Sequence, residues 1–286
     1  MDSQKNRRKP RSMRFQNLHL GSHAILATWS IIVIVPLYVL VIGSFKDKFG
    51  MYKSAFGLPE KWHFENYTDA FKKGSFLTYF ANSLIVVVIS LLLVLIIGVM
   101  VSYALANWRS KLSGIVYFFF TAGMMIPIKI ASVQLIVIMK KIGLHNTIWS
   151  LIPIYVAMGI PISVFILTEF IRQIPRSLIE AALIDGSSRF NILIRIIIPL
   201  IRPALATVAI YNLVPFWNDL WFPLIMITDD KSKTLLLGVT RLIGQYTTDW
   251  SKILAVLTLS SLPVLILYLF MSQQFIKGMT SGAIKE

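Results

Sequence analysis

The few residues in this sequence that could do chemistry do not converge on a reaction. His19 and His23 are spaced i, i+4, which places two imidazoles on one helix face, but no third ligand lies nearby and the chain contains no cysteine. No Gly-x-x-x-x-Gly-Lys-Ser/Thr phosphate loop and no Gly-x-Ser-x-Gly elbow occurs. We therefore expect no enzyme activity, no metal site and no cofactor in this chain.

Three other polar residues interrupt long apolar stretches. An ionisable group at membrane depth is costly enough to be a functional hypothesis by default. Lys129, two residues after Pro127, is predicted to line a path for an acidic or hydroxyl-rich solute, or else to snorkel or pair within a helix bundle. Asn218 and Asp219 are predicted to belong to the same path as a gate or partner contact, or to satisfy a helix broken by Pro215.

The composition indicates a membrane protein. Of the 286 residues 56% are hydrophobic and only 14% are charged, and the apolar residues form uncharged runs too long for core helices. A bilayer-crossing helix needs about 20 mostly apolar residues. Six such spans are predicted: Ala24–Phe45, Phe76–Trp108, Leu112–Met139, Ile142–Thr168, Pro203–Ile225 and Ile253–Ile276.

The distribution of basic residues predicts the topology. The segment before the first span, residues 1–23, contains six Lys and Arg against one acid, which places the N-terminus in the cytoplasm. Six spans then return residues 277–286 to the same side. The chain has a net charge of +15, and its charged residues lie between the apolar runs, as they do beside membrane helices. No nucleic-acid partner is therefore expected.

Two long segments, residues 46–75 and 228–252, are predicted to lie outside the cell. Both mix aromatic side chains with charges of both signs. This composition is typical of interfacial anchors at helix ends and also of a docking face for an external protein.

Small and polar residues within the spans predict close helix contacts. Asn82, Ser83 and Asn212 are expected to form interhelical hydrogen bonds, and Gly98 and Ser102 to allow close packing.

The cytoplasmic loop Arg172–Pro203 carries the clearest local signals. Pro175 is a poor continuation of the preceding helix, and Ser177 and Glu180 have the spacing of a capping box, in which each side chain satisfies a free backbone N–H. A short helix is therefore expected to begin at Ser177.

The end of that helix is predicted at Gly186, which can adopt the left-handed conformation that terminates helices. Ser187 or Ser188 can cap another helix that extends through Arg195 and that the two following prolines interrupt. The expected product is a helix-turn-helix outside the bilayer.

The pattern Glu-Ala-Ala-x-x-Asp-Gly at residues 180–186, followed by Ile-x-x-Pro at 196–199, resembles the signature loop of permease subunits of bacterial ABC importers. The resemblance covers most of the chain and is specific to the carbohydrate-uptake branch, with the subunit type similar to the smaller maltose permease. The further matching segments are Met125-Ile126-Pro127, Gly143-Leu144, Asn146-Thr147, Ile174-Pro175, Phe216–Asp219 and Phe275–Ala283.

This resemblance implies an all-α integral membrane protein with six transmembrane helices and a cytoplasmic coupling helix, the type I ABC importer permease architecture. The coupling helix of this family sits in a cleft of the ATP-binding subunit and transmits its closure to the membrane helices. The residues assigned to this contact by resemblance are Glu180, Ala181, Ala182, Asp185 and Gly186.

The same resemblance implies several partners. They are a second, related permease, two ATP-binding subunits that bind ATP and Mg²⁺, and an external solute-binding protein, all at the inner membrane of a bacterium. The C-terminal tail, around Gly278, Ser281 and Gly282, is expected to reach between the ATP-binding subunits.

Two other functions remain open from the sequence. A self-sufficient secondary transporter would use Lys129 and the proline-broken helices as its coupling site, although no inverted repeat is visible. An ABC importer for a non-sugar solute shares the signature loop, whereas the tail and the Trp-Asn-Asp region favour sugar.

Overall fold

The structure, a computed structural model, describes residues 20–73, 75–108, 110–243 and 248–281. Within these ranges the chain is helical and contains no strand. Four helices are long and apolar enough to cross a membrane, and two bent helix pairs raise the number to six if each pair is one span. The α-helices are α1 (Leu20–Gly43), α2 (Gly50–Lys53), α3 (Glu65–Lys73), α4 (Phe76–Asn107), α5 (Lys111–Gly123), α6 (Ser132–Lys141), α7 (Leu151–Arg172), α8 (Arg176–Ile184), α9 (Arg189–Ile192), α10 (Ile198–Leu200), α11 (Arg202–Trp217), α12 (Trp221–Met226), α13 (Leu235–Val239) and α14 (Trp250–Ser281).

Four of the predicted spans correspond to the straight helices α1, α4, α7 and α14, with shifted ends. The fourth span begins at Ile148 rather than Ile142, because Gly143 and Asn146 adopt positive φ values of 73° and 64° and form a turn. The last helix continues as α14 to Ser281, so the first part of the predicted C-terminal tail is helical.

The third predicted span is not a continuous helix. Lys111–Gly123 and Ile128–Lys141 meet at an angle of 82°. Pro127 at the break has extended backbone with ψ of 101°, and a 3₁₀ turn, Ile128–Ala131, follows it. Lys129 therefore belongs to the turn at the bend and not to a continuous helix.

The fifth predicted span also differs from the structure. The helix α11 contains Pro215 without ending there and stops at Trp217, and α12 is a separate short helix. The bend lies instead at Ile201, where the segment Arg189–Leu200 meets α11 at 76°. Pro203 occupies the first turn of α11, where its missing N–H removes no helical hydrogen bond.

The prediction that Pro199 interrupts the helix after Ser188 is wrong. Helical structure continues from α9 through a π-helical turn, Leu193–Ile197, into α10, which contains Pro199. A π turn shifts the backbone pairing by one residue. This shift lets the chain pass a residue without an N–H while remaining helical.

The centre of the molecule is the contact between α4 and α7, on which α11 packs. One side of α4 is buried at intervals of four residues through Val86, Ser90, Val94, Gly98 and Ser102, while the rest of its surface is largely apolar and exposed. Small residues on the buried side let two helix backbones approach closely in lipid. The expected roles of Gly98 and Ser102 are confirmed, since a Cβ at Gly98 would lie 3.2 Å from Ser163 Cβ and Ser102 Oγ donates to Val164 O at 3.3 Å.

Polar side chains join these helices as well. Asn212 Nδ2 on α11 lies 3.3 Å from Ser163 Oγ on α7, which confirms its predicted interhelical bond. Ser83 Oγ on α4 accepts from Leu235 N, the first residue of α13, at 2.8 Å, which confirms its predicted interhelical bond. Asn82 Nδ2 instead donates to Lys231 O at 2.8 Å and holds the segment before α13.

The buried apolar residues form two clusters along the helix bundle. One cluster joins α4 and α7 with α12, α13 and α14 around Phe222, Met226 and Tyr155. The other lies at the end of the bundle next to α8 and includes Leu167, Ala182 and Ile192. The loop that carries the signature pattern is therefore part of a packed core.

Gly159 on α7 marks the closest approach of three helices. A Cβ at this position would lie 2.7 Å from Asn212 Oδ1 on α11 and 2.8 Å from Val94 Cγ2 on α4. Both distances are too short for any real contact, so glycine is required for packing.

We predict that Gly159→Ala destabilises the protein by about 1–3 kcal/mol, the usual effect of overpacking a helix contact. Gly114→Ala is the matched control, because a Cβ at Gly114 on α5 meets nothing within 4 Å. The control should be neutral or stabilising by up to about 1 kcal/mol, since alanine favours the helix. Thermal unfolding of the purified protein in detergent measures both changes, and equal melting temperatures for the two variants would contradict the packing.

Candidate functional site: the loop around α8 and the bend at Lys129

The loop after α7 forms the short helix α8, as the sequence predicts, but its start differs. Pro175 occupies the N-cap position with ψ of 128°, and helical structure begins directly at Arg176. Ser177 therefore lies inside the helix, and no side chain caps this helix start. The predicted capping box of Ser177 and Glu180 is wrong, because Ser177 lies inside the helix and Pro175, which has no side-chain acceptor, occupies the N-cap position.

The predicted end of α8 is confirmed. Gly186 has φ of 80°, Ser187 N donates to Ala182 O at 2.9 Å, and Gly186 N donates to Leu183 O at 3.1 Å. These two bonds are the pairs of a Schellman motif. Ser188 Oγ then accepts from Asn191 N at 3.2 Å and caps α9, as expected. The turn fixes the angle between α8 and α9.

The two sides of α8 differ in what they contact. Ala182 is 9% exposed and Ile179 is partly buried, and both pack into the cluster formed by α4, α7, α9 and α11. Glu180, Ala181, Asp185 and Gly186 are exposed. The helix is thus attached to the bundle on one side and presents carboxylates and small residues on the other.

Large apolar side chains extend this exposed surface. The side chains of Ile184 and Phe190 are 86% and 66% exposed, and those of Leu178 and Leu183 are 47% and 46% exposed. Apolar side chains presented beside carboxylates at the end of a bundle are typical of a protein interface. We refer to this surface, residues 178–190, as the α8 surface.

A polar cluster that sequence reasoning missed lies beneath this loop. Glu169 Oε1 accepts from Tyr117 OH at 2.9 Å and from Arg172 Nη1 at 2.8 Å, and Arg172 Cζ lies 4.7 Å from the centre of the Tyr117 ring. The cluster joins α5 to the end of α7. Tyr117 and Glu169 are 52 positions apart in the chain, so no local spacing indicates the contact.

Lys129 lies at the bend of the third span beside α12. Its Nζ is 5.7 Å from the centre of the Trp221 ring, within the range of a cation–π contact, and its side chain is exposed. Trp221 Nε1 donates to Ser132 Oγ at 2.9 Å, and Ser132 Oγ donates to Lys129 O at 2.6 Å. These bonds position the bend against the start of α12.

Asp219 organises the break between α11 and α12. Its carboxylate accepts from the backbone N–H groups of Trp221 and Phe222 at 3.1 and 3.2 Å, the first two residues of α12. It also accepts from Tyr155 OH at 2.9 Å, and the Tyr155 ring stacks on Phe216 with centroids 4.9 Å apart. Of the two predictions for Asp219, the structural one describes these contacts: the side chain satisfies backbone groups where the helix is broken.

Asn218 makes a more limited contact. Its Nδ2 donates to Val214 O at 3.1 Å within its own helix, and its side chain is exposed beside the break. Lys129, Asn218 and Asp219 thus lie around one feature, the junction of the bend with α12.

Asn146 joins the turn before α7 to the segment after α12, and only the tertiary structure shows this contact. Its Oδ1 accepts from Thr228 N at 2.7 Å, Thr228 Oγ1 at 2.9 Å and Asp229 N at 2.8 Å. It therefore holds the segment after α12 to the turn between α6 and α7. The Gly-Leu-x-Asn-Thr motif in the sequence includes this residue, and its positive φ indicates why asparagine suits the position.

The segment that follows α12 carries an ion-pair network. Asp230 contacts Lys233 Nζ at 2.7 Å and Arg241 Nη2 at 2.6 Å, and Arg241 Nη1 donates to Tyr79 OH at 2.9 Å. The hydrogen bond from Lys233 is the main cause that holds the pKa of Asp230 below its ordinary value, and the Arg241 charge acts in the same direction. The network ties this segment to α4.

Some predicted sites fall outside the description. The basic segment of residues 1–19, including His19, and Gly282 lie outside the described residues, and for Gly278 and Ser281 the structure describes only the helical backbone. Among the residues that are described, no group of three His, Cys, Asp or Glu side chains is placed to hold a metal ion.

Comparison with known proteins assigns the class. Residues 95–281 match the family described as binding-protein-dependent transport system inner membrane component. The chain is 40% identical over 261 residues to a putative ABC transporter permease protein of Caldicellulosiruptor, covering 91% of this chain and 94% of that protein. The chain belongs to this family of transport permeases, which confirms the family predicted from the loop pattern.

Two further relatives carry names that state a solute. The diacetylchitobiose uptake system permease protein NgcG of Streptomyces coelicolor is 35% identical and covers 92% of this chain and 88% of its own. The probable starch degradation products permease AmyC of Thermoanaerobacterium thermosulfurigenes is 34% identical, with coverage of 90% and 93%.

A solved structure shares the fold. A chain of a bacterial ABC transporter involved in the import of the acidic polysaccharide alginate superposes with a TM-score of 0.78 over 90% of this chain and 95% of that chain. The identity is 20%, so the likeness is one of fold.

We predict that Asp219→Ala destabilises the protein by about 0.5–2 kcal/mol, because the first amides of α12 lose their acceptor as in removal of a helix cap. Asp219→Asn should recover only part of this loss, because Trp221 N bonds one carboxylate oxygen while Phe222 N and Tyr155 OH bond the other, and an amide has a single acceptor oxygen. Asn218→Ala, with one intrahelical bond to lose, serves as the neighbouring control. Thermal unfolding and uptake are measured together. Equal melting temperatures of Asp219→Ala and Asn218→Ala would contradict the capping role of Asp219.

Proposed function

We propose that this chain is the permease subunit of a bacterial ABC importer that brings a carbohydrate, most simply an oligosaccharide, across the inner membrane. The observation that carries this proposal is the geometry of α8, a short helix packed by Ala182 into the end of the bundle while its acidic side is exposed. Membership in a family of transport permeases supports a role of this helix in transport.

The proposed mechanism is mechanical coupling. A helix that shares a buried cluster with α4, α7 and α11 moves with those helices, because close-packed interiors transmit displacement instead of absorbing it. Closure of two ATP-binding subunits, which bind ATP and Mg²⁺, would displace α8 through Glu180, Ala181, Asp185 and Gly186. The chain itself would change helix positions and make no covalent bond.

The proposed topology has six spans with both termini in the cytoplasm. The two bent pairs, each counted as one span, supply the fifth and sixth crossings. The basic N-terminal segment supports a cytoplasmic N-terminus. This orientation places α8 inside the cell and the segments 46–75 and 228–252 outside, where a solute-binding protein would dock.

Exposed apolar surface supports a second permease as partner. Residues 23–38 of α1 are exposed, and at the bend Met125 and Ile130 are 84% and 77% exposed. Lipid covers such residues on the outer circumference of a bundle. A second permease would cover those near the bend and enclose a path with the surface around Lys129.

The carbohydrate assignment has its own support. Relatives that cover nine-tenths of the chain are named for diacetylchitobiose uptake and for starch degradation products. A further relative from Streptococcus mutans, 32% identical, is named a multiple sugar-binding transport system permease. We therefore propose that this chain also transports a sugar.

We further propose that the C-terminal tail contacts the ATP-binding subunits between them.

Purification of the tagged chain from its native membrane in mild detergent tests the class of transporter. We expect a second permease and a Walker-type ATP-binding subunit to co-purify, with ATP-dependent sugar uptake after reconstitution. Recovery of this chain alone, active in liposomes without ATP, would contradict the proposal.

We predict that Glu180→Lys lowers uptake and solute-stimulated ATP hydrolysis by about tenfold or more, since a charged hydrogen bond contributes about 1.5–3 kcal/mol and 1.4 kcal/mol corresponds to tenfold. The complex should still assemble, because Glu180 is exposed. Ser177→Lys adds charge to the same helix and is the control. An equal loss in both variants would assign the effect to the charge of the loop and not to Glu180.

For the path we predict that Lys129→Met raises the KM of uptake by about tenfold or more if its ammonium contacts the solute, by the same conversion. Lys140→Met, on the last turn of α6, removes an equal charge away from the bend and should leave KM unchanged. Uptake kinetics in reconstituted vesicles measure both. If Lys129→Met has the same KM as the unchanged chain, Lys129 has only a packing role against Trp221.

A further inference from the structure

The segment between α1 and α3 is a built structure that encloses a lysine. His63 N donates to Phe45 O at 2.9 Å, and Asn66 Nδ2 donates to Ser44 O and Lys46 O at 2.8 and 2.9 Å. The Phe45 ring packs against three aromatic rings, of Trp62, Phe64 and Tyr67, with centroids 5.2 to 5.3 Å away. These contacts fold residues 44–67 back onto the end of α1.

Lys46 is 3% exposed within this segment. Its ammonium donates to Ser54 O at 2.6 Å and to Ala55 O at 3.2 Å. An ammonium has three N–H groups, and the described residues supply two acceptors, both neutral carbonyls. No carboxylate in the described part of the chain forms an ion pair with it.

A cavity of about 340 Å³ adjoins this lysine. Its charged lining consists of Lys46, Lys53 and Lys61 against Asp47 and Glu60, with His63 beside them. Lys53 and Glu60 partly offset one another at 4.0 Å. The cavity is large enough for a small organic group, and its fixed charge is a single excess positive charge.

Burial lowers the pKa of Lys46, because removal from water disfavours the ammonium form. A buried charge is usually retained with a partner of opposite sign. A bound anion in the adjoining cavity would provide that partner.

We propose that this cavity, the Lys46 pocket, binds a carboxylate group. Excess positive charge of one unit matches a monoanion, and the two acids in the wall disfavour a dianion such as sulfate. Lys46 in the lining gives the charge and a third N–H donor, and Lys61 adds a second cation.

Two sources can present a carboxylate at this place. One is a uronic acid residue of a saccharide, and the other is an acidic side chain of the docking solute-binding protein. The choice between these sources rests on the proposed function, which places the pocket outside the cell. Binding of a carboxylate to the pocket does not depend on the proposed function.

Thermal unfolding of the purified full-length chain with its co-purifying subunits tests the site. Sodium glucuronate and sodium acetate should each raise the melting temperature with a saturable dependence on concentration. Glucose, which has the same ring without the carboxylate, sodium chloride at equal ionic strength and sodium sulfate should not. Equal shifts with chloride or with glucose would overturn the proposal.

Variants identify the lysine responsible. Lys46→Met should abolish the glucuronate shift, and Lys61→Met should weaken the apparent affinity several-fold without disturbing the buried bonds to Ser54 and Ala55. Lys48→Met is the matched control, since Lys48 is exposed on the same segment and outside the cavity lining. An unchanged shift in Lys61→Met and Lys46→Met would overturn the site, and if Lys46→Met does not fold, Lys61→Met alone decides.

The source of the carboxylate follows from two further measurements on the same variants. Weaker stimulation of ATP hydrolysis by the unliganded solute-binding protein in Lys61→Met identifies a protein carboxylate. A loss confined to uptake of uronic acid oligosaccharides identifies the sugar. No change in either would overturn a transport role for the pocket. Absence of ATP-binding subunits from the purified material would refute the proposed function while leaving the glucuronate shift in place.

Discussion

The structure depends on one constraint: backbone N–H and C=O groups have no water to bind in the hydrocarbon region, so every break in a spanning helix needs partners from the protein. Asp219 shows the consequence, since its carboxylate accepts the first two amides of α12 where α11 has ended. At the bend after Pro127, Ser132 Oγ donates to Lys129 O and accepts from Trp221 Nε1. Polar side chains thus provide partners at both breaks.

Close packing of small residues is the second property of the bundle. Gly98 and Gly159 let α4, α7 and α11 approach closely, and Asn212 joins two of these helices by a hydrogen bond. Ala182 attaches α8 to the same helices at one end. In the proposed mechanism, a displacement applied to the exposed side of α8 would reach the spans through this shared packing.

The opposite end of the bundle is organised by charge. Asp230, Arg241 and Tyr79 connect the segment after α12 to α4, and the pair of Lys252 and Asp69, 2.8 Å apart, connects α14 to α3. The segment around Lys46 adds a structured wall with a buried cation. Such a surface has defined shape and charge, as recognition of an external partner requires.

The sequence by itself determined the helical class, the position of most spans, the turn at Gly186 and the family, because these depend on local apolar length, glycine conformation and an ordered motif. It did not determine the bend at Lys129, the continuation through Pro199 or the helix start after Pro175. The effect of a proline depends on which groups hydrogen-bond to the backbone around it. It also could not show the contact of Asp219 with Tyr155 or the cavity beside Lys46. These contacts join residues brought together only when the helices pack, and their roles follow from burial and distance, which no spacing along the chain encodes.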